Sequence, residues 1–367
     1  VGLTGFLIVL TAFWSLVYIA YRYKKQWFEQ RSIEVQVPLI VWRITRRLQW
    51  LENVKGGKTA KRIGAVFVIL TVVSAGLYYW FIGGIAYKRI IGASSQNGVV
   101  LLIPGLTIWG EALLYFLLAA SIAIVLHELA HAVMAGMEGV KLSSAGLALL
   151  LVFPAAFVEP EEESLNSAPL HSKLKILAAG SAANLILGAL FLGLLFYTVA
   201  APAGIIVTSV EQGSPAASAG ITSGMRIIAV NGTRIHRITD LHSFINASGT
   251  TTLVMTIIMK GEARNITVFK PANRSIIGIY FKPAGSLLGR LSLRSYEALL
   301  NFVDWSYMIN FSLALVNAAP LFITDGAKML DLFIKDKISA ERKASLLSYT
   351  LQTITLAILV MALAPPT

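Results

Sequence analysis

One stretch narrows the possible folds more than any other. Residues 112–137 form an apolar run long enough to cross a bilayer, and His127, Glu128 and His131 are set into it. Away from water, such a run satisfies its own backbone as a helix. Residues four apart then share a face about one turn apart, so His127 and His131 can offer ring nitrogens to a single ion. Glu128 stands beside the pair, badly placed to ligate but well placed to take a proton from water. This is the HExxH pattern of a zinc site with its general base. The competing reading is a chance match of core histidines. Five histidines in 367 residues make chance improbable, and ionisable groups at membrane depth are functional by default because burying them is costly.

The rest of the chain also suits a bilayer: it is 56% hydrophobic and 14% charged, with mean hydropathy +0.70. Further apolar runs at 3–21, 63–82, 174–200, 295–319 and 346–364 bring the expectation to about six transmembrane helices. Basic residues follow the first run rather than precede it, so 3–21 reads as a retained helix and not a cleaved signal. The formal charge of +12 lies largely in 22–62 and 328–343. By the positive-inside rule these segments are cytoplasmic, and nucleic acid is not an expected partner. With no cysteine in the chain, thiolate zinc sites are excluded, and any metal must be held by His, Asp or Glu.

Shorter features carry further expectations. Residues 37–51 read as a helix, either along the inner leaflet or solvated, and 141–158 as a re-entrant loop or hairpin. The acidic residues Glu159, Glu161, Glu162 and Glu163 read as a solvated loop, and His171 as interfacial and inert. Asn184 is a polar amide within an apolar run, serving either as packing glue or as a functional contact. From 204 to about 283 the texture becomes β-rich, with strands expected at 204–210, 225–230, 252–259 and 265–269. Turns are expected at Asn231-Gly232 and Lys260-Gly261, and a helix at 239–245. This is a small, partly open β-barrel with two helices; its His236 and His242 are poor candidates for the metal. Asp325 follows an apolar run broken by Pro320, where the chain can bend. It is either a helix-capping residue or, given the histidine pair, the third ligand.

These elements resemble the site-2 proteases, intramembrane zinc metalloproteases. His127-Glu128-Leu129-Ala130-His131 resembles the family's HExxH. Asn317-Ala318-Ala319-Pro320 with Asp325-Gly326 looks like its NxxPxxxxDG, and Gly180 with Asn184 like its GxxxN element. The β-rich insertion resembles a PDZ domain in Gly213-Ser214-Pro215-Ala216 and in Gly224 to Gly232, although the entry at 201–204 lacks the usual carboxylate-binding loop. The resemblance implies an α-helical polytopic membrane protein with an inserted PDZ-like domain. Residues 1–110 would be accessory helices and a basic cytoplasmic loop, and 111–203 the first half of the catalytic core. The PDZ-like extracytoplasmic domain would occupy 204–284, the second half of the core 285–345, and the last helix 346–367. It implies one Zn2+ held by His127, His131 and Asp325, Glu128 as catalytic base, and Asn184 and Asn317 binding substrate or supporting the site. Expected partners are transmembrane protein substrates, the lipid bilayer and a peptide ligand of the PDZ-like domain, bound between 204–210 and 239–247. The expected activity is endoproteolysis of transmembrane segments near the cytoplasmic face. The alternative is a zinc-binding transporter or sensor with the same ligands, which would have no need of Glu128.

Overall fold

Among the described residues, six long helices follow from the apolar runs. They are α1 (Leu3–Tyr23), α3 (Gly57–Tyr78), α5 (Gly110–Met137), α7 (Leu170–Val199), α10 (Leu293–Ala318) and α12 (Glu341–Ala362), each part of a span long and apolar enough to cross a membrane. The computed structural model describes residues 3–44, 54, 56–92, 98–199, 204–235, 238–245, 251–259, 262–271, 276–284 and 293–363. The second span is longer than its apolar run. From α3 it continues through a π-helical turn (Tyr79–Gly83) into α4 (Gly84–Ile90), 34 residues in all. That is roughly 50 Å, well beyond the ~30 Å hydrocarbon layer.

The chain divides into two compact units, Val1–Phe191 with Trp305–Thr367, and Leu192–Asp304. In the first, the buried helix faces are rich in small residues, including Ala119, Ala120 and Ala123 on α5 and Ala178, Ala179 and Ala182 on α7, beside fewer large ones such as Phe116, Met134 and Ile176. Large aliphatics such as Leu114, Leu118, Ile186 and Leu190 point outward. Small faces let helix backbones approach closely, which is how helices associate when the solvent is as apolar as the side chains.

This unit also holds an antiparallel sheet in the order β1 (Ile33–Gln36), β2 (Leu39–Arg43), β3 (Leu142–Leu150), β4 (Phe153–Pro160). A short helix, α2 (Lys25–Glu29), leads into it. The helix expected over 37–51 is therefore corrected: Trp42 pairs with Leu147, and Leu147 with Ala156. Ile40, Val41 and Trp42 favour a strand once partners are present: β1, just upstream, pairs on one side and β3, about a hundred residues downstream, on the other. Residues 45–51 lie outside the described set. The 141–158 segment is a hairpin, and Gly146 is one of its strand residues. A Cβ there would come within 2.6 Å of the Trp42 carbonyl oxygen. The acidic segment is also more ordered than expected, because Glu162–Ser167 forms a helix, α6.

The second unit is a sheet in the order β10 (Ile279–Pro283), β5 (Ile205–Val210), β6 (Arg226–Val230), β8 (Thr251–Met259), β9 (Glu262–Lys270), with β7 (Thr233–Arg234) pairing β6. Two helices, α8 (Pro215–Ser218) and α9 (Ile238–Ile245), accompany it. Asn231 and Gly232 both have positive φ, 51° and 78°, as a two-residue hairpin loop between β6 and β7 requires. Ile205, Val207, Ile227, Leu241, Leu253 and Val268 form its closed aliphatic core. The sequence expectation omitted β10. It is short, and it pairs with β5 across some seventy residues of chain. The expected Lys260-Gly261 turn and His236 lie outside the described residues.

Candidate metal centre

On α5, His127 and His131 project one turn apart from the same face, both buried. Asp325 reaches them from α11 (Asp325–Lys337), the helix that follows the break after α10. The break is held by Thr324. Its hydroxyl accepts from the Leu321 and Ala327 amides and donates to the Ala319 carbonyl at 2.6 Å. Thr324 is thus the N-cap, and the capping reading of Asp325 gives way. The turn folds tightly on itself, since a Cβ at Gly326 would lie 2.0 Å from the Ala318 carbonyl oxygen.

Three ligand atoms converge. His127 Nε2 and His131 Nε2 are 3.1 Å apart, and each is 3.1 Å from Asp325 Oδ2. Among the described residues, these three are the group whose atoms could hold one metal ion. The chemistry of the donors fits a cation. His131 Nδ1 is 2.7 Å from the Ile176 carbonyl oxygen and therefore donates its proton there, which leaves a lone pair on Nε2 of the neutral ring. A lone pair facing a carboxylate oxygen and a second imidazole is repulsive until a cation lies among them. Three protein ligands with room for a fourth is also the donor number of a catalytic zinc.

Helix α7 closes this site from one side. A Cβ on Gly180 would fall 2.4 Å from His131 Nε2 and 2.5 Å from His127 Nε2, so only glycine admits the rings. The resemblance singled out Gly180 with Asn184, but the sequence could not show that the glycine makes room for the imidazoles. Asn184, one turn further along the same face of α7, is fully buried, and neither polar atom of its amide has a protein partner. The register of α7 against α5 is locked at their junction. Glu138, immediately after α5, accepts from Lys175 Nζ at 2.9 Å and from the Ser172 hydroxyl. Burial pushes the Glu138 carboxyl up, but the bonds from Ser172 and Lys175 outweigh it and hold the group below the ordinary carboxylate range. Lys175 precedes Ile176, whose carbonyl orients His131.

Glu128 lies outside the ligand group. Its Oε2 accepts from the Val158 amide on β4 at 3.0 Å, and β4 runs along α5 as the last strand of its sheet. A cavity of about 190 Å³ opens beside it, lined by Ile124, His127, Glu128, Asn317, Asp325 and Lys328 among others. Asn317 therefore joins the site region, half-buried at the cavity wall. Lys328 was read from sequence only as a topology-setting charge. Its Nζ lies 3.7 Å from Asp325 Oδ1, one helical turn along α11. The Ile176 carbonyl and the Val158 amide are backbone groups and left no signal in the residue types. His171 is exposed and apart from this centre.

The profile of peptidase family M50 matches residues 115–361. An uncharacterized protein of Methanocaldococcus jannaschii is 25% identical over 304 residues, covering 82% of this chain and 78% of that protein. A protein of Agrobacterium fabrum named as a zinc metalloprotease is 29% identical over 109 residues, 29% of this chain and 28% of its own length. A protein of Chlamydia muridarum named as a DegP-like periplasmic serine endoprotease is 44% identical over 68 residues, 18% of this chain and 13% of that one.

Proposed function

The chain belongs to peptidase family M50 and is a metalloprotease with six long apolar helices among its described residues, and from that premise we propose that it cuts transmembrane segments of other proteins within the bilayer, close to the cytoplasmic face. His127, His131 and Asp325 would hold one zinc ion, with Glu128 as the base. The observation that carries this reading is the convergence of two ring nitrogens and a carboxylate oxygen at 3.1 Å, with a separate carboxylate alongside. When bound, zinc polarises a carbonyl and brings the pKa of a coordinated water to about 7.

The chain's own residues do the rest. Glu128 takes the proton of the attacking water and passes it to the leaving amine, and the Val158 amide holds its Oε2 so that the other oxygen faces that task. Gly180 and the Ile176 carbonyl keep the imidazoles in one orientation. A helical substrate shields its peptide bonds with its own hydrogen bonds, so it must become extended before it can be cut. β4 has no described strand on its outer edge, and an extended substrate could pair there next to Glu128. Asn317 at the cavity wall and the unpartnered amide of Asn184 are suited to backbone groups of the same segment.

The basic segments 22–62 and 328–343 support a cytoplasmic location for that side of the membrane unit and an extracytoplasmic location for the β-rich insertion. The sheet and two helices of the second unit support a PDZ-like domain that recognises peptide. One correction applies to the expected groove. β5 is paired on both sides, by β10 and β6, so no peptide can be added to it, and the available edge is that of β10. The test of the activity is reconstitution in liposomes with a model transmembrane substrate. Wild type should cut it and Glu128→Gln should not, while both retain zinc by elemental analysis. Equal cutting by the two would remove Glu128 from its role, and zinc transport without cutting would favour the transporter alternative.

A further inference from the structure

Among the described side chains of α1, Trp14 is the one that is buried, and its Nε1 donates to the Leu151 carbonyl at 3.1 Å. Leu151 belongs to the two-residue turn between β3 and β4, where Leu150 pairs with Phe153. It holds φ 57°, a conformation that glycine adopts freely and leucine does not. Both of its backbone groups are engaged beyond its own hairpin: the amide donates to the Pro38 carbonyl at 2.9 Å, and the carbonyl accepts from Trp14. A strained turn persists only where its surroundings over-determine it, and here two separate segments do so.

Depth makes the bond from Trp14 matter. Trp14 is the twelfth of the 21 residues of α1, so in a bilayer the turn lies near mid-span, where no water replaces a lost partner. The contact is otherwise open. A gap of about 530 Å³ lies between α1 and the two hairpin turns, lined by Thr11, Trp14, Ser15, Val37, Pro38 and Leu151 among others. From the pinned turn β4 runs back along α5, and its Val158 amide donates to Glu128 Oε2 at 3.0 Å.

We propose that Trp14 is a positioning residue for the reaction. By holding the Leu151 turn it fixes β4, and with it both the Val158 amide that orients Glu128 and the edge open to an extended substrate. This rests on the reading of the chain as a protease that takes substrate on that edge, and it gives α1 a part in the reaction. The test compares wild type with Trp14→Phe, which keeps an apolar ring and loses the N–H, and with Leu151→Val, whose branched side chain resists a positive φ more strongly. Ser15→Ala, at the same gap, is the control. Each full chain is assayed in liposomes with the model transmembrane substrate for KM and kcat, and hydrogen exchange of the 153–160 peptide is followed in detergent without substrate. Trp14→Phe and Leu151→Val should each raise KM about 10-fold, with a smaller fall in kcat, and speed exchange of 153–160 by a similar factor, as one lost hydrogen bond at a waterless site requires. Zinc affinity in a chelator titration should stay at the wild-type value in both, and Ser15→Ala should match wild type throughout. A wild-type KM or wild-type exchange in Trp14→Phe would overturn the proposal. So would a parallel fall in zinc affinity, which would make Trp14 a packing residue of the whole membrane unit. If wild type itself cuts nothing, the protease reading fails, and the exchange measurement still decides whether Trp14 holds β4.

Discussion

The two units bury different mixtures of residue. In the second, Leu253, Met255, Ile257 and Val268 fill a closed aliphatic core, with polar residues such as Thr256 and Asn265 turned outward. In the membrane unit many large aliphatics face out, and the interior mixes a few large apolar side chains such as Phe116 and Ile309 with many alanines, with glycines and with the ionisable groups His127, His131, Asp325, Glu138 and Lys175. The hydrophobic effect organises the first arrangement. In the second it has little to act on between helices already in an apolar solvent, so close packing and polar pairing specify the structure. A metal site suits that interior because its ligands are polar groups that need partners.

The contrast can be broken most directly at the site. Glu128→Gln should lower cleavage by about 10²–10⁴-fold with zinc content unchanged, because proton transfer is lost and the ligands are not. Gly180→Ala adds one methyl group where the rings already sit, and should weaken zinc binding by about 10–100-fold in a competitive chelator titration while circular dichroism of the β-rich unit stays the same. A change of side-chain size has the opposite meaning in the other unit. There Leu253→Ala should cost about 2–5 kcal/mol by opening a cavity, read as a lowered melting midpoint of that unit with zinc affinity untouched.

A smaller effect tests the junction of α5 and α7. The depressed Glu138 carboxyl stabilises the folded chain above the ordinary carboxylate pKa of about 4.3, and that stabilisation is lost as pH falls through its lower folded value. The melting midpoint of wild type should therefore drop on acidification below about pH 4 by more than that of Glu138→Gln, which should already be lower at neutral pH. Smallest of all, Arg264→Ala removes an exposed pair with Glu262 and should change stability by less than about 1 kcal/mol, vanishing in salt.

Much of this was legible beforehand. The six helices followed from apolar length, the Asn231 and Gly232 turn from residue type, and the triad's candidates from spacing and the cost of charge in lipid. The strand at 39–43 was misread because one of its two partners, β3, lies far away in sequence, and local pattern cannot say whether a short apolar run will find one. β10 was missed for the same reason, and with it the position of the groove. Gly180 was singled out only by resemblance, without any means of knowing what it makes room for.

The sequence by itself determined which residue types enter the bilayer and which of them have to be paired. Only the tertiary structure decided that Asp325 meets the histidines rather than caps a helix, that Val158 holds Glu128, and that β10 rather than β5 is the open edge. Those outcomes depend on distances between segments far apart along the chain, and residue order constrains them only through the packing of the whole.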